Sequence, residues 1–420
     1  MEERNSEKKE RKMRDSGIPW IGEVPEGWEF SKIKYHCTMK SGDNITALDI
    51  SNNGKYPVYG GNGLRGFYKI YNKNGNHILI GRQGALAGNV HLVNGKFWAT
   101  DHAVVVTLKN DVFINYFFRM LESMNLNQYA FDTAAQPGLS VSRIMNLNIV
   151  LPNLEEQHHI ADYLDSKCSE IDTLIENLRT RMESVKEYKK AVITEAVTKG
   201  LDKNAKMKDS GVEWIGEIPE HWEMRRIKNI GIYRNGLTYS PSDMVDENDG
   251  KLVLRSSNIQ NGKLSFDNNV YVKTKIPKLL QIKRNDILIC SRNGSKELVG
   301  KSALINEDID ATFGAFMMIL RCECAKYMYY ILNSSLLSFY IGSFATSTIN
   351  QLTGGNFGNM KFPFTADTKE QHRIADYLDS KCYEIDALLQ NYEYQISTLE
   401  EYKKSLIYEY VTGKREVPAV

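Results

Sequence analysis

The chain has 420 residues, of which 42% are hydrophobic and 25% charged, and its formal net charge is +1. This length predicts two or three domains, and the composition is typical of globular proteins and excludes a fibrous or wholly disordered chain. No apolar run approaches the ~18 residues of a membrane span. Residues 1–12 are mostly charged or polar, without the apolar core of a secretory signal, so we expect a disordered tail and a cytoplasmic protein.

Two stretches of the chain occur twice, in the same order. Met13–Trp28 recurs as Met207–Trp222 with 11 of 16 positions identical, and Glu156–Glu176 recurs as Glu370–Gln390 with 16 of 21 identical. The segments between these stretches barely align. We therefore predict a tail at 1–12, a first domain at 13–152, a first helix at 153–206, a second domain at 207–364 and a second helix at 365–412.

Each repeat begins with a leader that contains two tryptophans and a proline. Such a segment is more often a strap across a core than a binding loop. The first domain then shows short strands and glycine-rich turns, with predicted strands or helices at Tyr56–Gly63 (strand and turn), His77–Gly81, Ala103–Leu108 and Asn115–Met124 (helix).

The second domain repeats this outline with different residues. Its predicted elements are Leu252–Arg255, Asp286–Cys290 and Phe316–Leu320 as strands and Tyr327–Ile341 as a helix. Each domain closes on an apolar strand that runs into a proline, at Asn148–Pro152 and Met360–Pro363. We predict an α+β fold with mostly antiparallel or mixed sheets.

The two long helical stretches carry apolar residues at heptad spacing, which is typical of coiled coils. Each spans about 46 residues, or roughly 70 Å at ~1.5 Å per residue. The simplest partner for one seam is the other, so we predict an antiparallel pair that separates the two domains about a pseudo-twofold axis. The predicted pairing residues are Leu164, Ile171, Leu178 and Val185 in the first helix and Leu378, Ile385, Tyr392 and Leu399 in the second.

Charge is distributed unevenly along the chain. Residues 31–150 and 223–364 each carry a net charge of +6, whereas 153–200 and 365–412 carry −3 and −5. Basic domains are suited to bind a polyanion, and acidic helices are not.

Motifs of nucleic-acid enzymes are absent from the sequence. It contains no Pro-Asp dipeptide for a PD…(D/E)xK nuclease, no Asn-Pro-Pro-Tyr or Asp-Pro-Pro-Tyr loop of an amino-methyltransferase, and no phosphate-binding loop of an ATPase. His158 and His159 beside Glu155 and Glu156 could suggest a metal site. Because the second copy has Arg373 where the first has His159, a structural role at the helix start is favoured, and we predict neither a metal nor a catalytic site.

Polar side chains that can hydrogen-bond to base edges cluster at glycine-rich turns in both domains. The candidates for DNA contacts are Asn62, Arg65, Arg82, Gln83, His102, Gln136 and Arg143 in the first domain, and Arg255, Asn258, Arg292, Asn293, Lys296, Asn350, Gln351, Asn356 and Lys361 in the second. Two hypotheses remain open: a reader of two separate DNA half-sites, or a non-catalytic scaffold whose modules bind peptides or glycans.

The chain resembles the specificity subunits of Type I restriction-modification systems. The resemblance lies in the leader DSGIPWIGEVPEGW, the turns YPVYGGNG, ILIGRQG and ILICSRNG, the segment LRSSNIQNG and the helix opening LPNLEEQHHIADYLD. It covers residues 13–412, and the duplicated order makes it specific. The second helix opening, FPFTADTKEQHR, departs from the family's wording.

This resemblance implies that the two domains are target-recognition domains, each reading one half of a bipartite site in double-stranded DNA. It also implies that the chain itself is non-catalytic. It would dock two methyltransferase subunits and two restriction subunits with translocase and nuclease activity, and the S-adenosylmethionine, ATP and Mg²⁺ of the assembly would be bound in those other subunits.

Overall fold

A computed structural model describes residues 11–84, 87–109, 111–131, 138–344 and 350–418. The chain forms two compact units: unit 1 comprises Met1–Leu178 with Tyr394–Val420, and unit 2 comprises Arg179–Glu393. Each unit therefore contains one of the two domains whose sequences barely align, which we call the variable domains. It also contains part of the first long helix and part of the second. The domain boundaries predicted from the sequence keep each helix whole, and they stay predictions.

The predicted tail, 1–12, lies mostly outside the described residues. Arg11, near its end, donates to the carboxylate of Glu156 at 2.5 Å.

The first half of the chain contains fourteen described strands and four described helices. In chain order they are β1 (Met13–Asp15), β2 (Glu23–Pro25), β3 (Glu29–Lys32), α1 (Ile33–His36), β4 (Cys37–Ser41), β5 (Tyr56–Gly60), β6 (Gly63–Tyr68), β7 (Lys73–Asn74), β8 (His77–Gly81), β9 (Val90–Val93), β10 (Lys96–Ala99), β11 (Ala103–Leu108), α2 (Ile114–Ser123), β12 (Ala130–Phe131), β13 (Gly138–Leu139), α3 (Val141–Met145), β14 (Asn148–Leu151) and α4 (Leu154–Lys199).

The second half repeats this arrangement with insertions among the described elements. They are β15 (Met207–Asp209), β16 (Glu217–Pro219), β17 (Glu223–Arg226), β18 (Ile232–Asn235), β19 (Met244–Val245), β20 (Lys251–Leu254), β21 (Ile259–Gln260), β22 (Lys263–Leu264), β23 (Tyr271–Val272), β24 (Ile287–Cys290), β25 (Ser302–Leu304), β26 (Ala311–Phe313), β27 (Met317–Arg321), α5 (Ala325–Leu332), α6 (Ser335–Phe344), α7 (Gly354–Asn359), β28 (Lys361–Phe364) and α8 (Thr368–Val411).

Each unit contains an antiparallel and a mixed four-stranded sheet, and the two antiparallel sheets have matching strand orders. The antiparallel sheets have the orders β4-β11-β8-β9 and β18-β27-β24-β25, and the mixed sheets have the orders β6-β5-β10-β7 and β19-β23-β20-β26. The mixed sheets contain a parallel pair, β5 with β10 and β20 with β26. The predicted α+β class with mixed sheets is confirmed.

The continuous apolar run of β8 follows from burial on both faces of its sheet. Ile78 and Ile80 belong to the main core cluster of unit 1, with the helices. Leu79 points to the opposite face and joins Phe97 of the mixed sheet in a smaller cluster. Because successive strand residues alternate faces, a strand covered on both sides must be apolar throughout.

The strands predicted at His77–Gly81 and Ala103–Leu108 are confirmed with those bounds. The single helix predicted at Tyr327–Ile341 is wrong, since α5 ends at Leu332 and α6 begins at Ser335. The hydroxyl of Ser334 donates to Ile331 O at 2.6 Å and accepts from Leu336 N at 3.2 Å. A serine between two helical turns competes with the backbone for hydrogen bonds, and the helix breaks there.

Both long helices begin within three residues of their predicted starts, and their lengths of 46 and 44 residues agree with the expected length, but α4 ends at Lys199, before the predicted boundary at 206. Within unit 1 the start of α4 packs against the end of α8. The rings of Tyr163 and Tyr410 lie 4.7 Å apart, and Lys403 Nζ lies 2.7 Å from Asp172. Because the partner numbers fall as the α4 numbers rise, the two helix ends are antiparallel in this unit.

All eight predicted pairing residues lie on buried or half-buried helix positions. Leu164 and Ile171 share the unit 1 core with Leu406 of α8, and Leu399 packs against it. In unit 2, Leu378 belongs to the core cluster that contains Ile193 of α4. The remaining members are buried or half-buried: Leu178, Val185, Ile385 and Tyr392.

Each leader buries its second tryptophan in the core of its own unit, against the start of a long helix. Trp28 and Trp222 are 2% and 0% exposed. Their indole nitrogens donate to Glu156 at 3.2 Å and to Glu370 at 3.1 Å, the corresponding glutamates at the starts of α4 and α8. We call this contact the leader clip. It explains why tryptophan and glutamate are retained in both copies.

His158, the first of the two histidines at the start of α4, packs against an aromatic side chain of its own domain. The ring of His158 stacks on Phe113 with centroids 3.7 Å apart. In the described part of the chain, no cluster of three His, Cys, Asp or Glu side chains could hold a metal ion. Nor does any helix there have the length and apolarity to cross a membrane.

Candidate nucleic-acid interface

The candidate site of unit 1 forms around the turn that follows β8. The backbone N–H of Arg82 donates to His102 O at 2.9 Å, and Leu139 N donates to Arg82 O at 2.9 Å. Gln83 lies opposite Gly138 in an isolated β-bridge. Three segments that are distant in sequence therefore meet where β8 ends and β11 begins, at one end of the two inner strands of the antiparallel sheet.

The turn between β5 and β6 also lies close to His102 and Gln83. A Cβ atom on Gly61 would come 3.2 Å from His102 O and 3.4 Å from Gln83 O, so this close backbone approach favours a residue without a side chain. The neighbouring Asn62 is exposed and accepts from Asn89 at 3.2 Å. Arg65 folds back over Gly60. We call Asn62, Arg82, Gln83, His102 and Gly138 the unit 1 turn cluster.

Unit 2 builds the same arrangement after β24. The backbone N–H groups of Ser291 and Arg292 donate to Phe316 O at 2.9 and 3.1 Å, and Leu352 N donates to Ser291 O at 2.7 Å. Arg292 lies opposite Gln351 in an isolated β-bridge. By these matching hydrogen bonds Gln83 corresponds in position to Arg292, and Arg82 corresponds to Ser291, so the two arginines are offset by one residue.

The side chains of this second cluster are anchored. Arg292 places its guanidinium over the ring of Phe316, 5.0 Å from the centroid. Asn293 donates to Ser256 Oγ at 2.9 Å, and Asn350 donates to Gly294 O at 3.0 Å. We call Arg292, Asn293, Phe316, Asn350 and Gln351 the unit 2 turn cluster.

Most of the other predicted side chains in unit 1 are exposed or half-exposed. Arg82 donates to Ser41 Oγ at 3.3 Å, and His102 lies 3.9 Å from Asp101. Arg143 in α3 sits over the ring of Tyr129 at 5.5 Å. Gln136 lies outside the described residues.

Two of the residues predicted to contact DNA in unit 2 make hydrogen bonds within the domain instead. Asn258 is 0% exposed; it accepts from Arg255 N at 2.9 Å and donates to Ser265 O at 3.0 Å. Arg255 is half-buried and donates to Asn268 O at 2.9 Å. Their hydrogen bonds hold the loop after β20, so the Asn258 side chain is not accessible to DNA in this structure.

Lys301 supports the same loop, since its ammonium donates to Ile259 O at 3.0 Å. Burial there lowers the pKa of Lys301.

The last predicted residues of unit 2 lie at the edge of the cluster or beyond it. Lys296 is exposed on the loop after Asn293, and Asn356 lies in the first turn of α7, which Thr353 caps. Lys361 begins β28, and its backbone N and O both bond the hydroxyl of Tyr340. The structure does not bring Lys361 into the turn cluster by any hydrogen bond among the described residues.

Sequence reasoning missed Phe316, because Phe316–Leu320 reads as one apolar strand. In the structure β27 begins at Met317, and Phe316 is 57% exposed on the turn before it. The available signal was Gly314, two residues earlier, since a glycine at a strand boundary indicates a tight turn.

A family model described as Type I restriction modification DNA specificity domain matches residues 25–184 and 219–396. The chain is 44% identical to the type I restriction enzyme EcoprrI specificity subunit of Escherichia coli over 144 residues, 33% of this chain and 35% of that one. It thus aligns with about a third of that relative's length. It is 27% identical to the MjaVIII specificity subunit of Methanocaldococcus jannaschii over 425 residues, 94% of each chain.

Among solved structures, one chain from a study of complex assembly and conformational transition of the type I R-M system has a TM-score of 0.66. It shares 15% sequence identity and covers 93% of this chain and 99% of its own length. At this identity the likeness concerns the fold alone. With the family model matching both halves of the sequence, the chain belongs to the type I restriction-modification DNA specificity family.

Proposed function

We propose that the chain is the non-catalytic specificity subunit of a type I restriction-modification complex and that each variable domain reads one half of a bipartite site in double-stranded DNA. The main support for this proposal is that both units build the same backbone arrangement of turns but place different polar side chains on it. A fixed scaffold with variable, exposed donors is suited to direct readout of base edges.

Charge supports this proposal. Both variable segments have a net charge of +6, which provides the phosphate contacts that give non-specific affinity and position the reader. Arg82 with Gln83 and Arg292 with Asn293 are the first candidates for base contacts. The surrounding lysines and arginines would contact phosphates.

The helices have a separate role in the proposal. The antiparallel pairing of helix ends in unit 1, together with heptad spacing along both helices, supports a coiled coil that acts as a spacer between the two readers. Two methyltransferase subunits and two restriction subunits would dock on the chain. S-adenosylmethionine, ATP and Mg²⁺ would then act in those subunits.

Base preference measured on mutant complexes tests the reading role. The complex is purified through a tag on this chain, and the duplexes it retains from a randomised library are sequenced at several salt concentrations. We expect a two-part motif. Arg82→Ala should relax one half and Arg292→Ala the other, each by about 5- to 150-fold for a lost bidentate contact.

Arg284→Ala is the matched control, because Arg284 is equally exposed but precedes β24, whereas Arg292 follows it. Retention of duplexes without sequence preference would contradict the proposal, as would equal relaxation of both halves by one substitution. The spacer is tested separately: inserting seven residues into α4 alone should abolish recognition, and an unchanged motif would refute a fixed spacer.

A further inference from the structure

The unit 2 turn cluster contains an aromatic side chain, Phe316, that does not belong to the core clusters of the described residues. Phe316 is 57% exposed, whereas its neighbours Phe313 and Met317 are 0% and 1% exposed. The turn itself is held by backbone, since Met317 N donates to Gly314 O at 2.8 Å and Phe316 O accepts two N–H groups. A polar side chain would serve the turn equally well, so the fold does not require phenylalanine here.

The ring contacts an arginine of the turn cluster. The guanidinium of Arg292 lies over it at 5.0 Å. This cation–π contact restricts an otherwise flexible side chain without using its N–H groups as hydrogen-bond donors. That is the arrangement needed for bidentate donation to O6 and N7 of guanine.

The exposed part of the ring provides a second kind of contact. In the major groove the one apolar feature of a base pair is the C5-methyl group of thymine, which apolar side chains contact. Phe316 and Arg292 together therefore match a guanine and a thymine presented in the same groove.

The corresponding position in unit 1 is different. His102 is the residue whose carbonyl accepts from the turn after β8, as Phe316 does in unit 2. It is polar, half-exposed and 3.9 Å from Asp101. The same scaffold position thus offers an apolar face in one unit and a hydrogen-bonding imidazole in the other.

We infer that Phe316 is a specificity-determining residue that contacts a thymine methyl group in the half-site read by unit 2, and that Arg292, positioned by its ring, reads a guanine of the same half-site. This inference rests on the proposed function. It adds the bases that are recognised and the residue that recognises each.

Base analogues test each contact at a single atom. Deoxyuridine lacks only the thymine methyl group, and 7-deazaguanine lacks only the N7 acceptor. Duplexes with the preferred site are substituted one base at a time, and binding by the tagged complex is measured. At one thymine, deoxyuridine should weaken wild-type binding roughly fourfold, the equivalent of exposing one methyl group. At one guanine, 7-deazaguanine should weaken it on the order of tenfold.

The mutants assign these effects to residues. Phe316→Ala should bind the thymine and deoxyuridine duplexes equally, and Phe316→Trp should retain the difference. Arg292→Ala should lose sensitivity to 7-deazaguanine. Phe266→Ala is the control, because Phe266 is 42% exposed in the same unit but does not belong to the turn cluster; it should keep both sensitivities.

The outcomes distinguish a failure of the proposed function from a failure of the assignment of Phe316. If the complex shows no preference among duplexes, the proposed function fails. If it binds a two-part site and Phe316→Ala retains every deoxyuridine effect, the assignment of Phe316 is overturned while the proposed function stands. Sensitivity lost in the half-site read by unit 1 would also overturn it.

Discussion

The leader clip of unit 2 predicts a measurable coupling between Trp222 and Glu370. One carboxylate oxygen of Glu370 accepts from Trp222 Nε1 at 3.1 Å and from Thr365 Oγ1 at 2.5 Å, and His221 Nε2 lies 3.0 Å away. The indole is fully buried. Glu370→Ala therefore removes a charged acceptor and leaves a buried N–H without a partner.

The expected loss in the free energy of unfolding of unit 2 is about 3 kcal/mol. Hydrogen bonds to charged groups contribute ~1.5–3 kcal/mol, and an unsatisfied buried donor costs ~1–3 kcal/mol. The carboxylate in the first turn of α8 adds ~0.3–1 kcal/mol through the helix dipole. Trp222→Phe removes the N–H together with part of the buried indole ring, so it should lose about 1–2 kcal/mol for the hydrogen bond and a further amount for the cavity.

Native-state hydrogen exchange resolves the two units and is therefore the assay, since a chain with two compact units need not unfold in one transition. Glu370→Ala should lower protection at the start of α8 and across β15 and β16. Glu156→Ala should do the same at the start of α4 and across β1 and β2. In the double mutant of Trp222 and Glu370 the losses should fall short of their sum by about 1.5 kcal/mol; additivity within ~0.3–0.5 kcal/mol would refute the clip.

Three further predictions concern single groups. Asp286 is 0% exposed and accepts from Arg321 Nε and Nη2 at 2.6 Å each, so Asp286→Ala should destabilise unit 2 by ~3–5 kcal/mol as measured by native-state hydrogen exchange in β24 and β27, and a change below 1 kcal/mol would contradict this. Burial raises the pKa of Cys37 to about 12, so its thiol stays protonated at pH 8 and iodoacetamide should leave it unmodified until the chain is unfolded; rapid native labelling would refute this. Lys189→Ala removes an ion pair with Asp386 whose side chains are 23% and 27% exposed; this half-buried pair, still accessible to solvent, should contribute about 1 kcal/mol and less at high salt, and a loss above 2 kcal/mol would contradict this.

The elements that sequence reasoning located well are those with strong periodicity. The heptads of α4 and α8 gave both helices, and the apolar run of β8 gave its bounds, because burial on both faces leaves no polar position in the strand. The break between α5 and α6 was missed, since apolar residues continue on both sides of Ser334.

The candidate site was predictable as a set of turns but not residue by residue. Polarity alone does not distinguish a donor facing solvent from one used inside a loop, and Asn258 and Arg292 are equally polar in sequence. Only the hydrogen bonds of the structure show that the Asn258 side chain holds a loop and that Arg292 corresponds to Gln83. Phe316 was hidden because an exposed aromatic residue beside a strand has the same sequence signature as a buried one.

The leader clip also bears on how such a chain can change. It fixes the two ends of each variable segment, from Trp28 to Glu156 and from Trp222 to Glu370, while the second segment is 20 residues longer than the first. The entropy of closing a loop rises only slowly with its length, by ~0.6 kcal/mol per doubling. Identical closures can therefore hold segments of different length and sequence, so that the reading surface can diverge while the ends that close it stay the same.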